Sequence, residues 1–108
     1  MARYLFQLAY TPEAWAAQLK NPQNRIEAVT PTVERLGGRF ESVYFAFGDY
    51  DLIGVLELPD NVSATAFAMA VIAGGAVKTY KTTTLMTIEE GLQAMRRGAE
   101  AGYRPPGA

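Results

Sequence analysis

The alternation of apolar and polar residues along the chain predicts four β-strands and three helical regions. Four short runs rich in aromatic and β-branched residues predict strands at residues 4–10, 40–47, 51–58 and 77–86. Apolar residues at helical spacing predict helices at residues 12–36, 62–73 and 88–101. The elements therefore follow the order strand, helix, strand, strand, helix, strand, helix.

The first helical region is the least regular of the three. It begins after Thr11, whose hydroxyl suits the N-cap position, and the next residue is a proline suited to the first helical turn. Asn21-Pro22 interrupts it, because a proline disfavours helical geometry in the residue before it. Further along, Pro31 predicts either a kink or a fresh start of the helix with Thr30 as its cap.

This order of elements predicts an α+β domain with the ferredoxin-like βαββαβ arrangement plus a C-terminal helix. The short turn at residues 48–50 joins the second and third strands as an antiparallel hairpin. Two strand–helix–strand units then place the helices on one face of an antiparallel sheet. We expect one domain over residues 1–101 and an extended tail over residues 102–108, whose adjacent prolines oppose helix formation.

The other face of the predicted sheet has no helix to cover it. Four strands made mainly of apolar and aromatic residues are unfavourable when one face stays in water. We therefore expect a homodimer, or a higher homo-oligomer, in which two sheets pack face to face.

Composition excludes several classes of function. The 108 residues include no His and no Cys, so Cys/His zinc sites, thiol nucleophiles and Ser-His-Asp relays each lack an obligatory residue. Ten basic and 11 acidic residues give a net charge of -1, without the basic stripe that nucleic-acid binding requires. The N-terminal apolar run is too short for a signal sequence. We expect a cytoplasmic protein that uses no cofactor and binds neither nucleic acid nor membranes.

Residues of the hairpin are the leading candidates for a binding site. Asp49 and Asp51 carry carboxylates and Tyr50 carries a phenol, a combination that suits a cationic or hydroxylated ligand. The alternative is structural: Gly48 supplies a positive φ, Asp49 caps the turn, and Asp51 pairs with a lysine of a neighbouring strand. Together with Glu57, the two aspartates also have oxygen ligands for a hard cation, although we expect no metal.

Polar residues of the fourth strand form a second group of candidates. Alternation places Lys78 and Tyr80 on one face, where between two packed sheets they would lie opposite Arg3 or Gln7. The alternative is an edge strand, in which lysine and threonine prevent edge-to-edge association. Tyr44 is a further candidate that core packing also explains. The candidate ligand-binding residues are Gln7, Tyr44, Asp49, Tyr50, Asp51, Lys78 and Tyr80.

The hairpin and its surroundings resemble the GYD domain family. The Gly-x-Tyr-Asp signature of that family is present as Gly48, Tyr50 and Asp51. Segments outside the hairpin also match, at residues 4–11, 36–38, 57–60 and 75–84. The resemblance implies the dimeric α/β-barrel architecture. The resemblance identifies no catalytic residues in this sequence.

Three functions fit these observations. The leading hypothesis is an oligomeric small-molecule-binding or regulatory protein, with its ligand held between sheet faces or between sheet and helices. The second is a cofactor-independent enzyme of the monooxygenase, isomerase or decarboxylase type, with Asp51 or Asp49 as the acid–base group; the absence of histidine weakens it. The third is a structural assembly subunit. Fold analogy alone does not choose among them.

Overall fold

The computed structural model describes residues 1–107 as one four-stranded sheet and four helices. In chain order the elements are β1 (Ala2–Tyr10), α1 (Pro12–Lys20), α2 (Arg25–Arg35), β2 (Arg39–Phe45), β3 (Leu52–Leu58), α3 (Asn61–Ala73), β4 (Val77–Leu85) and α4 (Ile88–Glu100). The strand order in the sheet is β2-β3-β1-β4, and every neighbouring pair is antiparallel. The predicted ferredoxin-like α+β arrangement is therefore confirmed.

The predicted break in the first helical region is present and separates α1 from α2. Residues 21–24 are not helical, and the Asn24 side chain caps α2 by accepting a hydrogen bond from the backbone N–H of Ile26 at 3.0 Å. The helix then continues through Pro31, so the predicted fresh start at Thr30 is wrong. The Thr30 hydroxyl instead donates to the Ile26 carbonyl at 2.7 Å, one turn earlier in the same helix.

One face of the sheet forms the core together with α2 and α3. Phe6 lies at its centre, with its ring centroid 5.8 Å from that of Phe40 and 6.3 Å from that of Tyr80. The phenol of Tyr4 is satisfied by donating to Asn61 Oδ1 at 2.7 Å, which ties β1 to the start of α3. The buried side chains of the core are Tyr4, Phe6, Leu8, Tyr10, Val33, Leu52, Leu56, Leu58, Ala64 and Phe67.

The opposite, open face of the sheet is more polar than the strand composition indicated. Because side chains alternate along a strand, the aromatic residues of β1 all point to the helices. The apolar centre of the open face is consequently small, with Leu5, Ile53 and Val55, each half-buried. At its margin Arg3 pairs with Glu57 at 3.4 Å. The apolar area on the open face that a second copy would cover is thus smaller than expected. The homodimer stays a prediction.

The C-terminal helix α4 extends away from the rest of the domain. Its first turn is fixed by a capping box between Thr87 and Glu90, but none of its residues is buried. The radius of gyration is 17.4 Å, whereas a compact domain of about 100 residues has about 13 Å. The longest dimension of the chain, 58 Å, shows the same extension. Residues 102–107 that follow α4 form neither helix nor strand.

All the helices are short. The longest, α3 and α4, have 13 residues each, which corresponds to about 20 Å. Within residues 1–107, no helix has the length and apolar character needed to cross a bilayer.

Gly54 lies in β3 at a point where the strand packs closely against the Phe6 ring of the core. A Cβ at this position would lie 2.9 Å from the Phe6 ring and would also press on the Ser42 carbonyl oxygen. We expect Gly54→Ala to lower the free energy of unfolding by about 1–3 kcal/mol, because overpacking displaces Phe6. Urea unfolding measures the change, with Gly98→Ala in α4 as control, since a Cβ there enters open space. Equal stability of the two variants would contradict this packing.

Candidate functional site

The β2–β3 hairpin holds the signature residues at one end of the sheet. Gly48 has a φ of 148°, a backbone conformation that other residues rarely adopt, and the positive φ predicted for it is confirmed. Asp49 beside it is exposed, and Tyr50 is half-buried. The turn therefore presents one free carboxylate to solvent and keeps the tyrosine closer to the sheet.

Asp51 ties three parts of the fold together. Its Oδ2 accepts hydrogen bonds from the backbone N–H of Tyr10 at 2.9 Å and from Trp15 Nε1 at 3.2 Å. Its own backbone N–H donates to the Leu8 carbonyl at 2.8 Å. The lysine partner predicted for this carboxylate is wrong, because an amide and an indole bind it instead. Asp51 thus joins the hairpin to the end of β1 and to α1.

Gln7 and Tyr80 lie on opposite faces of the sheet. Tyr80 pairs with Leu8, and Gln7 pairs with Lys81; because successive side chains alternate, Tyr80 points into the core and Gln7 points to the open face. Tyr80 packs edge-to-face against Phe67 at 6.3 Å between ring centroids. The predicted arrangement with these two residues across one intersheet cleft is therefore wrong.

Lys78 and Tyr44 lie away from Tyr80. A β-bulge at the start of β4 pairs Tyr10 with Val77, so Val77 takes the core-facing position and Lys78 remains exposed. Tyr44 is 68% exposed on the edge strand β2. The seven candidate residues therefore do not form one site. Asp49, Tyr50 and Asp51 adjoin one another in the hairpin. Gln7 and Tyr44 flank Ile53 on the open face, whereas Tyr80 faces the core and Lys78 is exposed at the start of β4.

The acidic residues do not form a metal site. Glu57 lies at the far end of β3 from Asp51, roughly 20 Å along a strand of this length. There its carboxylate pairs with Arg39 at 2.7 Å. Across residues 1–107, no three acidic side chains come close enough together to hold a metal ion. The cation site considered for Asp49, Asp51 and Glu57 is therefore wrong.

A cavity of about 280 Å³ lies on the covered side of the sheet, between the strands, α2 and α3. Most of its lining is apolar, and small residues at the end of α3 and after it leave the space open. Its polar lining is contributed by Tyr10, Arg25 and Thr32. Its other lining residues are Phe6, Leu8, Ile26, Val29, Phe40, Leu52, Phe67, Ala70, Val71, Gly74, Ala76 and Val77.

Tyr10 and Arg25 mark the mouth of this cavity. Both also line two adjoining grooves, one along β2 that includes Tyr44 and one beside α1. Burial raises the pKa of the Tyr10 phenol, while the nearby positive charge of Arg25 acts in the opposite direction. Among residues 1–107, Arg25 takes part in none of the ion pairs. A guanidinium and a phenol thus adjoin an apolar chamber.

This cavity was not predicted from the sequence. One signal was available: Arg25 is the first residue of α2, where the helix dipole favours an anion and disfavours a cation. Because a cation does not stabilise the helix at that position, Arg25 is expected to have a role other than helix stabilisation. The volume itself depends on how α2 and α3 pack across the sheet, which residue spacing does not specify.

Comparison with known proteins identifies the family. The family model of the GYD domain matches residues 4–95. The chain belongs to the GYD domain family. The resemblance seen in the hairpin is therefore confirmed, and the structure shows what the signature aspartate of this GYD domain does: Asp51 holds β1, α1 and the hairpin together. No curated protein matches the chain significantly.

The solved structures of MtbAldR and PHS023 support the architecture. MtbAldR is 16% identical, with a TM-score of 0.57 over 80% of this chain and 53% of its own. The chain thus spans about half the length of MtbAldR. The hypothetical protein PHS023 from Pyrococcus horikoshii is 14% identical, with a TM-score of 0.50 over 81% of this chain and 92% of its own. FFRP-DM1 is 15% identical, with a TM-score of 0.49 over 80% of this chain and all (100%) of its own. At these identities the similarity shows the fold alone.

Removal of the Asp51 carboxylate tests its structural role. We expect Asp51→Ala to lower the free energy of unfolding by about 1–3 kcal/mol, because the Tyr10 amide and the Trp15 indole lose their acceptor. Asp49→Ala removes an exposed carboxylate from the same turn and should change stability by less than about 0.5 kcal/mol. Urea unfolding followed by Trp15 fluorescence measures both. Equal stability of the two variants would contradict the role of Asp51.

The buried phenol of Tyr80 predicts a pH dependence of stability. Burial raises the pKa of Tyr80 well above its ordinary value of 10.0, and a hydrogen bond with Thr82 opposes part of this shift. Because the folded pKa exceeds the unfolded one, the associated stability is fully present below the unfolded pKa and is lost as pH rises through the folded pKa. We expect wild type to lose more stability than Tyr80→Phe between about pH 9 and pH 11. Denaturation curves measure this loss. Tyr103→Phe, in the exposed tail, should follow wild type, and parallel curves for all three would contradict the prediction.

Proposed function

We propose that this GYD domain is a small-molecule-binding or regulatory subunit whose ligand is a small carboxylate with a short apolar body. The observation that carries the proposal is the apolar cavity with Arg25 and Tyr10 at its mouth. Ligand pockets commonly combine apolar walls with a few polar groups that orient the ligand. A guanidinium and a phenol both donate hydrogen bonds to a carboxylate.

The size of the cavity limits the ligand. Typical pockets for drug-sized molecules have about 300–1,000 Å³, and this cavity, with about 280 Å³, lies just below that range. The apolar body of the ligand packs among side chains such as Phe6, Phe40 and Val29, while its carboxylate stays at the mouth beside Arg25. This arrangement avoids the cost of burying a charge.

Binding fits the lining better than catalysis does. Among the described residues that line the cavity, none is Asp, Glu or Lys, so the chamber lacks a carboxylate or amine for proton transfer. In the hairpin, the Asp51 carboxylate already accepts two hydrogen bonds from the protein. A cofactor-independent enzyme is therefore the weaker hypothesis.

A regulatory role is supported by the connection between the cavity and the hairpin. The Tyr10 side chain lines the cavity, while its backbone N–H donates to Asp51 at the base of the turn. Movement of Tyr10 around a ligand therefore acts directly on the hairpin.

We also propose that the working unit is a homo-oligomer, supported by the half-buried apolar centre of the open sheet face at Leu5, Ile53 and Val55.

Octanoate and octanol are suitable probes, because they share an alkyl chain and differ in the head group. We expect octanoate to bind wild type more tightly than octanol does. Arg25→Gln should weaken octanoate binding roughly threefold to fivefold and leave octanol binding unchanged, since an exposed ion pair contributes up to about 1 kcal/mol. Fluorescence of the single tryptophan, Trp15, measures binding, because its ring lies 5.3 Å from that of Tyr10.

Two matched controls accompany this experiment. Arg35→Gln removes an arginine from the last turn of the same helix, outside the cavity, and should bind both probes as wild type does. Ala70→Leu fills the cavity and should weaken both probes, whereas Ala73→Leu, on the same helix but outside the cavity, should not. Equal effects of the two arginine variants, or no octanoate binding to wild type, would contradict the proposal.

A further inference from the structure

Helix α3 has an apolar outer face that nothing within residues 1–107 covers. Its 13 residues include no charged side chain, so it has no charged face for solvent. Ala64 and Phe67 face the core and are buried, whereas Val62, Met69 and Ile72 on the outer side are 78%, 65% and 51% exposed. A helix that is apolar all round is normally buried on both sides.

Helix α4 also exposes a stripe of apolar side chains. Ile88, Leu92 and Met95 recur at helical spacing and are 84%, 39% and 70% exposed. An isolated helix of this length is only marginally stable in water, so an amphipathic helix depends on packing of its apolar face. Within residues 1–107, α4 packs extensively against no other element, and its first turn only adjoins the start of β1.

The two apolar stripes match in length but do not meet within one chain. Each helix has 13 residues, and the connection from β4 to α4 has two residues, Met86 and Thr87, and directs α4 away from the domain. We propose that α4 of one copy packs against the outer face of α3 of a second copy, and that the contact is repeated by two-fold symmetry. The partner for this surface is thus a second copy of the same chain.

Charge complementarity sets the direction of packing. Asp60 precedes the first turn of α3, and exposed Lys78 follows its last turn by five residues. On α4, Glu89 lies near the N-terminus and Arg96 near the C-terminus, on the same side of the helix. Within one copy the Arg96 guanidinium and the Glu89 carboxylate form a long ion pair of 3.8 Å with both side chains mostly exposed, and such a pair contributes little. An antiparallel arrangement brings Glu89 toward Lys78 and Arg96 toward Asp60. A parallel one would bring like charges together.

The available area suits a stable dimer. Six apolar side chains on each copy, 39–84% exposed, give roughly 500–900 Å² of apolar area in a two-fold pair, taking roughly 60–120 Å² for each fully exposed side chain. Apolar atoms make up roughly 65% of homodimer interfaces. The total interface is then roughly 800–1,400 Å², and its upper end reaches the lower part of the roughly 1,200–2,000 Å² of specific interfaces.

Cysteine cross-linking tests this arrangement directly, because the chain contains no native cysteine. Met69 and Met95 lie near the middle of the two stripes, and both side chains are exposed. We expect a mixture of Met69→Cys and Met95→Cys under mild oxidation to form a disulfide-linked heterodimer. Each variant alone should remain mostly uncrosslinked. Mass spectrometry of the oxidised protein identifies the linked peptides.

Other outcomes would overturn the proposal. Cross-linking of Met95→Cys alone would place α4 against its own counterpart. Cross-linking of Met95→Cys with Val55→Cys, but not with Met69→Cys, would place α4 on the open sheet face. An intramolecular disulfide in the Met69→Cys/Met95→Cys double variant would mean that α4 folds back on its own chain.

A charge substitution provides an independent measurement. Met95→Glu places a carboxylate in the apolar stripe, and Gln93→Glu adds the same charge on the other side of α4. Because neither side chain is buried, both variants should fold as wild type does by circular dichroism. We expect Met95→Glu to raise the dimer dissociation constant at least about tenfold and Gln93→Glu to change it little, by analytical ultracentrifugation. Equal dissociation constants, or a wild type that remains monomeric at high concentration, would overturn the proposal.

Discussion

Strand β1 has to satisfy backbone hydrogen bonds on both of its edges while burying the side chains of one face, and the rest of the domain depends on this strand. It pairs with β3 along one edge and with β4 along the other. Its core-facing residues, Tyr4, Phe6, Leu8 and Tyr10, form the centre of the core under α2 and α3. A central strand of this kind leaves no unpaired amide in the core. The packing of the helices, the cavity and the hairpin all take their positions from it.

The family signature has a physical explanation in this structure. Gly48 permits a turn geometry that other residues rarely adopt. Asp51 then accepts hydrogen bonds from Tyr10 and Trp15 and thereby fixes the end of β1 against α1. The same Tyr10 contributes its phenol to the mouth of the cavity. Signature residues and candidate ligand site are thus joined through one residue.

Large exposed apolar surfaces of the molecule lie on the helices outside the core. A small domain buries a limited fraction of its apolar surface, and contact with a second copy adds to it. Helix α3 is apolar on both sides, and α4 exposes its whole stripe to solvent. The open sheet face is a different case, since Arg3, Glu57 and Arg39 form ion pairs there and keep much of it hydrated. The helical surfaces therefore have the greater need of a partner.

The sequence by itself determined the elements, their order and the family, because these depend on local periodicity, caps and breaking or turn residues such as Thr11, Pro22 and Gly48. It did not determine which candidate residues meet. Tyr80 and Gln7 were separated by the register of β1 and β4, and a bulge moved Lys78 out of the core-facing row. Asp51 found an amide and an indole in place of a lysine, because its neighbours come from two other elements. The cavity and the position of Arg25 at its mouth were decided only by tertiary packing, since a space between a sheet and two helices depends on distances between elements that are remote in the chain.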